Sequence, residues 1–243
     1  MDKTTFDLTT IDPSLFQIQD VIGDNACLYR ALANYVYFAT SPKSIRQILK
    51  FNDWGNIKNI DEVTRELGVY SDTQNSIAKE IQDLIVNYIA DHPYDKIPQV
   101  ADMTIENAIP VIHGISWEEY LAYYSDFAGS ADIMAEIDAD GYSVDRWGST
   151  IEQYAISKII ECPVIVFNSQ RWDNKYNKIV NGKIVKNKAQ KDVRLKPTMI
   201  IGEEYLGKKL PIYLIWREYK NNGHYLVLYP KDPEQVQKII DNL

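Results

Sequence analysis

The chain is short of the residues that most side-chain chemistry requires. Its 243 residues hold two cysteines and three histidines. Two cysteines cannot build a disulfide framework or a Cys-rich zinc site. The histidines lie outside helical reach of one another, so no metal centre is expected. Basic residues are outnumbered: 26 Lys and Arg stand against 34 Asp and Glu, a net charge of −8. Phosphate contacts need a basic surface, so general nucleic-acid binding is not expected. No apolar run approaches the roughly 20 residues of a membrane span. Residues 1–7 lack the apolar core of a signal peptide. We therefore expect a cytoplasmic or cytosol-like setting with reduced thiols. These scarcities leave five side chains for thiol or imidazole chemistry: Cys27, Cys162, His92, His113 and His224.

What is present is ordinary for a folded chain. Apolar residues make up 45% and charged residues 25%, enough to bury a core without staples or metals. There is no internal repeat. Residues 1–13 are polar and read as a flexible segment, leaving 14–243 as a single domain. From Cys27 onward, Leu28, Ala31, Leu32, Tyr35 and Val36 follow the spacing of an amphipathic helix. The preceding Gly23-Asp24-Asn25-Ala26 has turn composition, which places Cys27 where a loop enters that helix. A second helix carries Ile77, Ile81, Leu84, Ile85, Tyr88 and Ile89 and ends by His92-Pro93. Ser116-Trp117-Glu118-Glu119 and Ser149-Thr150-Ile151-Glu152 are capping boxes opening two more. A short helix fits 130–138.

After Pro163 the pattern turns to strands. Val164-Ile165-Val166-Phe167 reads as a buried strand. Asn181-Gly182 between two β-rich triplets signals a hairpin. Met199 to Ile201, Ile212 to Trp216 and His224 to Tyr229 read as further strands, and a closing helix fits the residues from Asp232. Helices first and strands later predict an α+β (mixed α/β) domain. Charge is uneven along it. Residues 171–196 carry +7 and the remainder −15, so a basic hairpin projects from an acidic body.

Two of the five scarce side chains sit where chemistry is favoured. A thiol at a helix N-terminus meets unpaired N–H groups and the positive end of the dipole, which favour thiolate. The loop before Cys27 can supply the N–H donors of an oxyanion hole. His224 starts a strand after Gly223, a rigid yet near-surface place for a general base. Cys162, between Glu161 and Pro163, reads as a core thiol. His92 reads as a helix cap and His113 as a turn marker.

Gly23-Asp24-Asn25-Ala26-Cys27-Leu28-Tyr29-Arg30-Ala31-Leu32 resembles the catalytic-cysteine motif of the ovarian-tumour (OTU) family of cysteine deubiquitinases. Gly223-His224-Tyr225 resembles its histidine motif. Trp147-Gly148-Ser149-Thr150-Ile151-Glu152, with the helix and strand that follow, resembles its middle block. The three blocks span about 16–230 in the family's order. The resemblance implies a papain-like OTU fold, with a mostly antiparallel central sheet flanked by helices and the catalytic cysteine at a helix N-terminus. It implies thiol-dependent hydrolysis of the isopeptide bond after the C-terminal glycine of ubiquitin. Cys27 is the nucleophile, His224 the general base and acid, residues Asp24, Asn25 and Ala26 the oxyanion loop, and Trp147 part of the site wall. No cofactor is implied.

Two departures stand out. Asn25-Ala26 replaces the family's Gly-Asn, and Gly tolerates backbone angles that these residues do not. Leu226 stands where many members carry the Asp or Asn that orients the histidine. Some members take that acid from the segment before the cysteine, which points to Asp20, with Asn222 as an alternative and a two-residue dyad as another. A catalytically inactive ubiquitin-binding module and a papain-like thiol peptidase acting on other substrates are the competing readings. Ubiquitin or polyubiquitin is the partner implied, with 93–146 as the variable region that holds it, and its basic tail suits an acidic body. A monomer is expected. The departures lean toward a divergent viral or bacterial-effector member acting in a host cytosol.

Overall fold

The strands that sequence reading placed last close a sheet with one that comes first. The computed structural model describes residues 16–40, 59–127, 148–168, 177–180, 183–186, 197–206, 210–218 and 223–232. Strand β1 (Phe16–Gln19) leads through a short loop into helix α1 (Cys27–Thr40). Helices α2 (Ile60–Glu66) and α3 (Asp72–Asp91) follow, then a two-stranded ribbon of β2 (Lys96–Ile97) and β3 (Met103–Thr104). Next come α4 (Ile105–His113), α5 (Trp117–Tyr123) and α6 (Thr150–Ile160). The rest is β4 (Val164–Asn168), β5 (Asn177–Val180), β6 (Lys183–Lys186), β7 (Met199–Ile201), β8 (Ile212–Glu218) and β9 (Gly223–Pro230).

Five strands form one sheet in the order β1-β9-β8-β4-β7. All neighbours are antiparallel except β4 and β8. The architecture is thus α+β with a mostly antiparallel sheet, as expected. β5 and β6 pair antiparallel with Val180 opposite Lys183, the register that a two-residue turn imposes. The 130–138 helix, the closing helix after Asp232, the first residues of the chain, Trp147 and Asn222 all lie outside the described residues.

Local signals explain the helix ends. Ser116 and Ser149 each accept from the backbone inside their helix while Glu119 and Glu152 reach back, so both capping boxes form. α3 ends at Asp91 with His92 as its cap.

α1 departs from its sequence reading. The apolar stripe predicts one buried face, but every residue from Cys27 to Ala39 is buried. The helix lies between β9 and α3, so its second face also needs cover. Its polar residues are therefore matched. Asn34 Oδ1 accepts from Gln74 Nε2 at 2.8 Å, and Arg30 meets Asp24. Buried polar groups without such partners would cost stability. One buried cluster runs from α1 through α3, α4, α6 and the sheet. Among the described residues, no helix is long and apolar enough to cross a membrane.

Candidate active site

The site forms where the first strand ends, the first helix begins and the last strand starts. β1 pairs with β9 up to Gln19 opposite Val227. That pairing sets Asp20, the next residue, beside His224. Asp20 Oδ1 accepts from His224 Nε2 at 2.8 Å and from the Val21 backbone N–H at 2.9 Å. His224 is the second residue of β9, opposite Arg217 on β8. Cys27 opens α1 and lies within side-chain hydrogen-bond reach of His224. With Nε2 committed to Asp20, Nδ1 is the ring nitrogen left for the thiol.

Electrostatics follow from this order. Burial disfavours the His224 imidazolium, yet hydrogen bonds to Asp20 and Cys27 and the charges of both outweigh it. The histidine is raised to about 10. The same hydrogen bond to His224 lowers the Asp20 carboxyl, against partial burial. His224 is 9% exposed in its side chain and Asp20 53%. An inner imidazole is thus oriented by a carboxylate at the rim. Leu226, by contrast, is buried opposite Ile215 and offers no acceptor.

The loop before Cys27 is shaped by Asp24. Its Oδ1 accepts from the Ala26 N–H at 3.0 Å. Its carboxylate also grips Arg30, with Nε and Nη2 at 2.9 and 2.8 Å from Oδ2. Such forked pairs fix geometry as well as charge. Arg30 lies between the rings of Tyr70 and Phe127, 5.1 and 5.6 Å from their centroids. Arg30 stands in the cysteine motif with no role evident from sequence; its six-residue spacing from Asp24 is the signal that links them.

The loop settles one departure and alters one expectation. Neither Asn25 nor Ala26 has a positive φ, so the conformation needs no glycine there. Three of the N–H groups expected beside the sulfur turn inward. Asp24 N–H donates to the Ile22 carbonyl at 3.1 Å, Ala26 N–H to the Asp24 carboxylate, and Cys27 N–H to the Asp24 carbonyl at 3.2 Å. The Cys27 bond is the longest of the three.

The other scarce residues have structural surroundings. The Cys162 thiol is buried and donates to the Leu210 carbonyl at 3.1 Å. His92 Nδ1 bonds the Tyr88 carbonyl at 2.8 Å, capping α3. His113 ends α4 just before the left-handed Gly114, where the sequence reads a turn, but it also has a partner which that reading misses: its Nε2 lies 3.2 Å from Glu152 Oε1 in a pair 4% and 0% exposed. Burial opposes both charges. The mutual attraction nevertheless raises His113 and, with hydrogen bonds from Tyr120 and Ser149, holds Glu152 down at about 2. Ser149 Oγ lies 3.2 Å from the same Nε2 and donates to Glu152 Oε2 at 2.7 Å. Serine and carboxylate therefore share one ring nitrogen, while Tyr124 Oη lies 3.5 Å from the other, Nδ1. Among the described residues, no three His, Cys, Asp or Glu side chains group to hold a metal ion.

No family model and no curated protein matches the sequence. Among solved structures, the chain is similar to the viral OTU domain protease of Taggert virus: 15% identity, 91% of this chain and 86% of that chain covered, TM-score 0.43. The corresponding protease of Farallon virus is 14% identical over 89% and 85% of the two chains, TM-score 0.40. An OTU deubiquitinase from Wolbachia pipientis wMel, solved bound to ubiquitin, is 12% identical over 90% and 98%, TM-score 0.38.

Proposed function

We propose that the chain is a thiol-dependent deubiquitinase of the OTU type, with Asp20, His224 and Cys27 as its catalytic residues. The observation that carries the reading is the Asp20–His224 bond at 2.8 Å, on the opposite ring nitrogen from the one left for a thiol at a helix N-terminus. That order of acid, imidazole and nucleophile is recognised by role rather than by sequence position.

The steps follow from the geometry. Cys27 thiolate attacks the carbonyl carbon of the ubiquitin C-terminal glycine, and the carbonyl electrons move to oxygen. The Cys27 N–H is the loop donor that receives that oxyanion. To do so it leaves the Asp24 carbonyl, its bond in the free site, while the Asp24–Arg30 grip holds the loop in place. The oxyanion collapses and expels the lysine amine, which takes the proton from His224 Nδ1. A thioester remains. Neutral His224 then removes a proton from water, the resulting hydroxide attacks the thioester, and Cys27 leaves as thiolate. Throughout, Asp20 keeps Nε2 protonated and the ring in place. The chemistry uses no metal or organic cofactor. The acidic body favours approach of the basic ubiquitin tail.

Incubation with di-ubiquitins of every linkage tests the proposal. The wild-type chain is expected to release ubiquitin from at least one linkage, and Cys27→Ala from none. Failure on all linkages, or cleavage that survives Cys27→Ala, contradicts it.

A further inference from the structure

A cavity of about 440 Å³ has walls that include Gly148, Gln153, Val166, Met199, Trp216 and Tyr225. Two of these walls touch residues adjoining Cys27 and His224. A Cβ on Gly148 would fall 2.3 Å from Leu28 Cδ2, so the cavity wall abuts the residue after Cys27. A Cβ on Gly223 would fall 1.6 Å from the Trp216 ring, so that ring lies flush on the residue before His224. Trp216 belongs to β8 and Asp20 follows β1, and these strands flank β9 on opposite sides. The cavity thus reaches the residue after Cys27 and the residues on either side of His224, Gly223 through Trp216 and Tyr225 directly.

Its chemistry is specific. Gln153 is 2% exposed. Its Nε2 donates to Tyr225 Oη at 2.6 Å, while its Oε1 has no partner among the described residues. Buried polar atoms are almost always paired, so an unpartnered amide end on a cavity wall marks a place for a ligand. The tyrosine hydroxyl can donate as well as accept, so the amide can turn and leave its NH₂ end unpartnered instead. A peptide group carries both a donor and an acceptor and complements either orientation. His113 also lines the cavity, but Glu152 balances its charge at 3.2 Å. Val166, Met199 and Trp216 add apolar wall. The site suits an uncharged occupant.

We propose that this cavity is a substrate subsite. It takes an uncharged stretch of polypeptide flanking the scissile bond and hydrogen-bonds one of its backbone amides through Gln153. The inference rests on the thiol-hydrolase reading of Cys27 and His224 and adds to it a specificity-determining residue.

Two variants test it. Gln153→Leu keeps side-chain bulk and removes the amide. Thr198→Trp, at an exposed residue lining the cavity, fills the space without touching the core. Each is assayed on the di-ubiquitin that the wild type cleaves and on ubiquitin with a C-terminal coumarin amide. KM for di-ubiquitin should rise about tenfold in each, the loss of one buried hydrogen bond or its equivalent in contact. A rise on both substrates puts the subsite on the ubiquitin side of the bond, and a rise on di-ubiquitin alone puts it on the amine side. Iodoacetamide alkylation of Cys27, measured on each variant, reports on the thiolate. A KM rise with a matching fall in alkylation overturns the subsite, as does wild-type KM in both variants. Either result leaves the thiol reading intact. If Cys27→Ala still cleaves, or the wild type cleaves nothing, the thiol reading fails and the subsite falls with it.

Discussion

Among the described residues a carboxylate, an imidazole and a thiol or hydroxyl come together in two places, and the two sets are arranged differently. Asp20, His224 and Cys27 stand at the sheet edge; Glu152, His113 and Ser149 form an interior set around a fully buried carboxylate, with His113 and Ser149 on the cavity wall. Carboxylate and imidazole are 2.8 Å apart in the first and 3.2 Å in the second. The first carboxylate is 53% exposed and the second not at all. In the edge set the carboxylate uses Nε2 and leaves Nδ1 for a thiol that opens a helix. In the interior set Ser149 and Glu152 crowd one nitrogen, and the serine proton goes to Glu152. Ser149 also accepts from the Ile151 N–H, completing the cap of α6. Residue types alone do not separate the two sets. The separation lies in which ring nitrogen each partner takes.

Breaking each set should give opposite signatures. The largest effect is on chemistry at the edge. His224→Ala should lower di-ubiquitin turnover by about 10⁴-fold or more, the scale on which catalytic groups acting as a unit fail. His113→Ala should lower stability instead, measured by urea unfolding. Equal loss of turnover in the two at matched folded concentration would erase the distinction. Next, Asp20→Ala should cost about a hundredfold in turnover, while Asn222→Ala stays close to wild type. Wild-type turnover in Asp20→Ala would remove it from the mechanism.

The interior set answers in stability. Glu152→Gln leaves the buried His113 charge uncompensated and should destabilise the chain by about 3 kcal/mol, with alkylation of Cys27 retained. Unchanged stability would show that the pair is not charged. The smallest effect sharpens this through pH. Glu152 falls from a usual 4.5 to about 2 in the folded state. Its contribution is therefore complete above pH 4.5 and lost as pH falls toward 2. His113 is raised above 6.5, so its contribution is complete below that pH and fades as pH climbs through the raised value. The stability gap between wild type and Glu152→Gln should narrow from pH 4.5 downward. A gap that widens there would reverse the sign of the pair's effect.

Much of the edge set is legible in the sequence because its parts are local. A turn followed by an i, i+3, i+4 stripe puts Cys27 at a helix start, and Gly223 before an alternating run puts His224 on a strand. Both capping boxes and the hairpin are short-range patterns as well. What joins the parts is not local. Asp20 and His224 are 204 residues apart, and they meet only because β1 pairs with β9, with Phe16 opposite Pro230. No pattern within residues 16–19 announces that partner, and only the family resemblance singled out Asp20. The apolar stripe of α1 understates its burial because periodicity reports one face and not a second covering layer. His113 reads as a turn because Gly114 follows it. Its true setting depends on Glu152, whose charge a sequence window assigns to a cap alone.

The most direct test of the account is covalent labelling by ubiquitin bearing a C-terminal electrophile. The arrangement of Asp20, His224 and Cys27 predicts one adduct, at Cys27, that is lost in Cys27→Ala and strongly slowed in Asp20→Ala. An adduct at Cys162, or none on the folded wild-type chain, would contradict it.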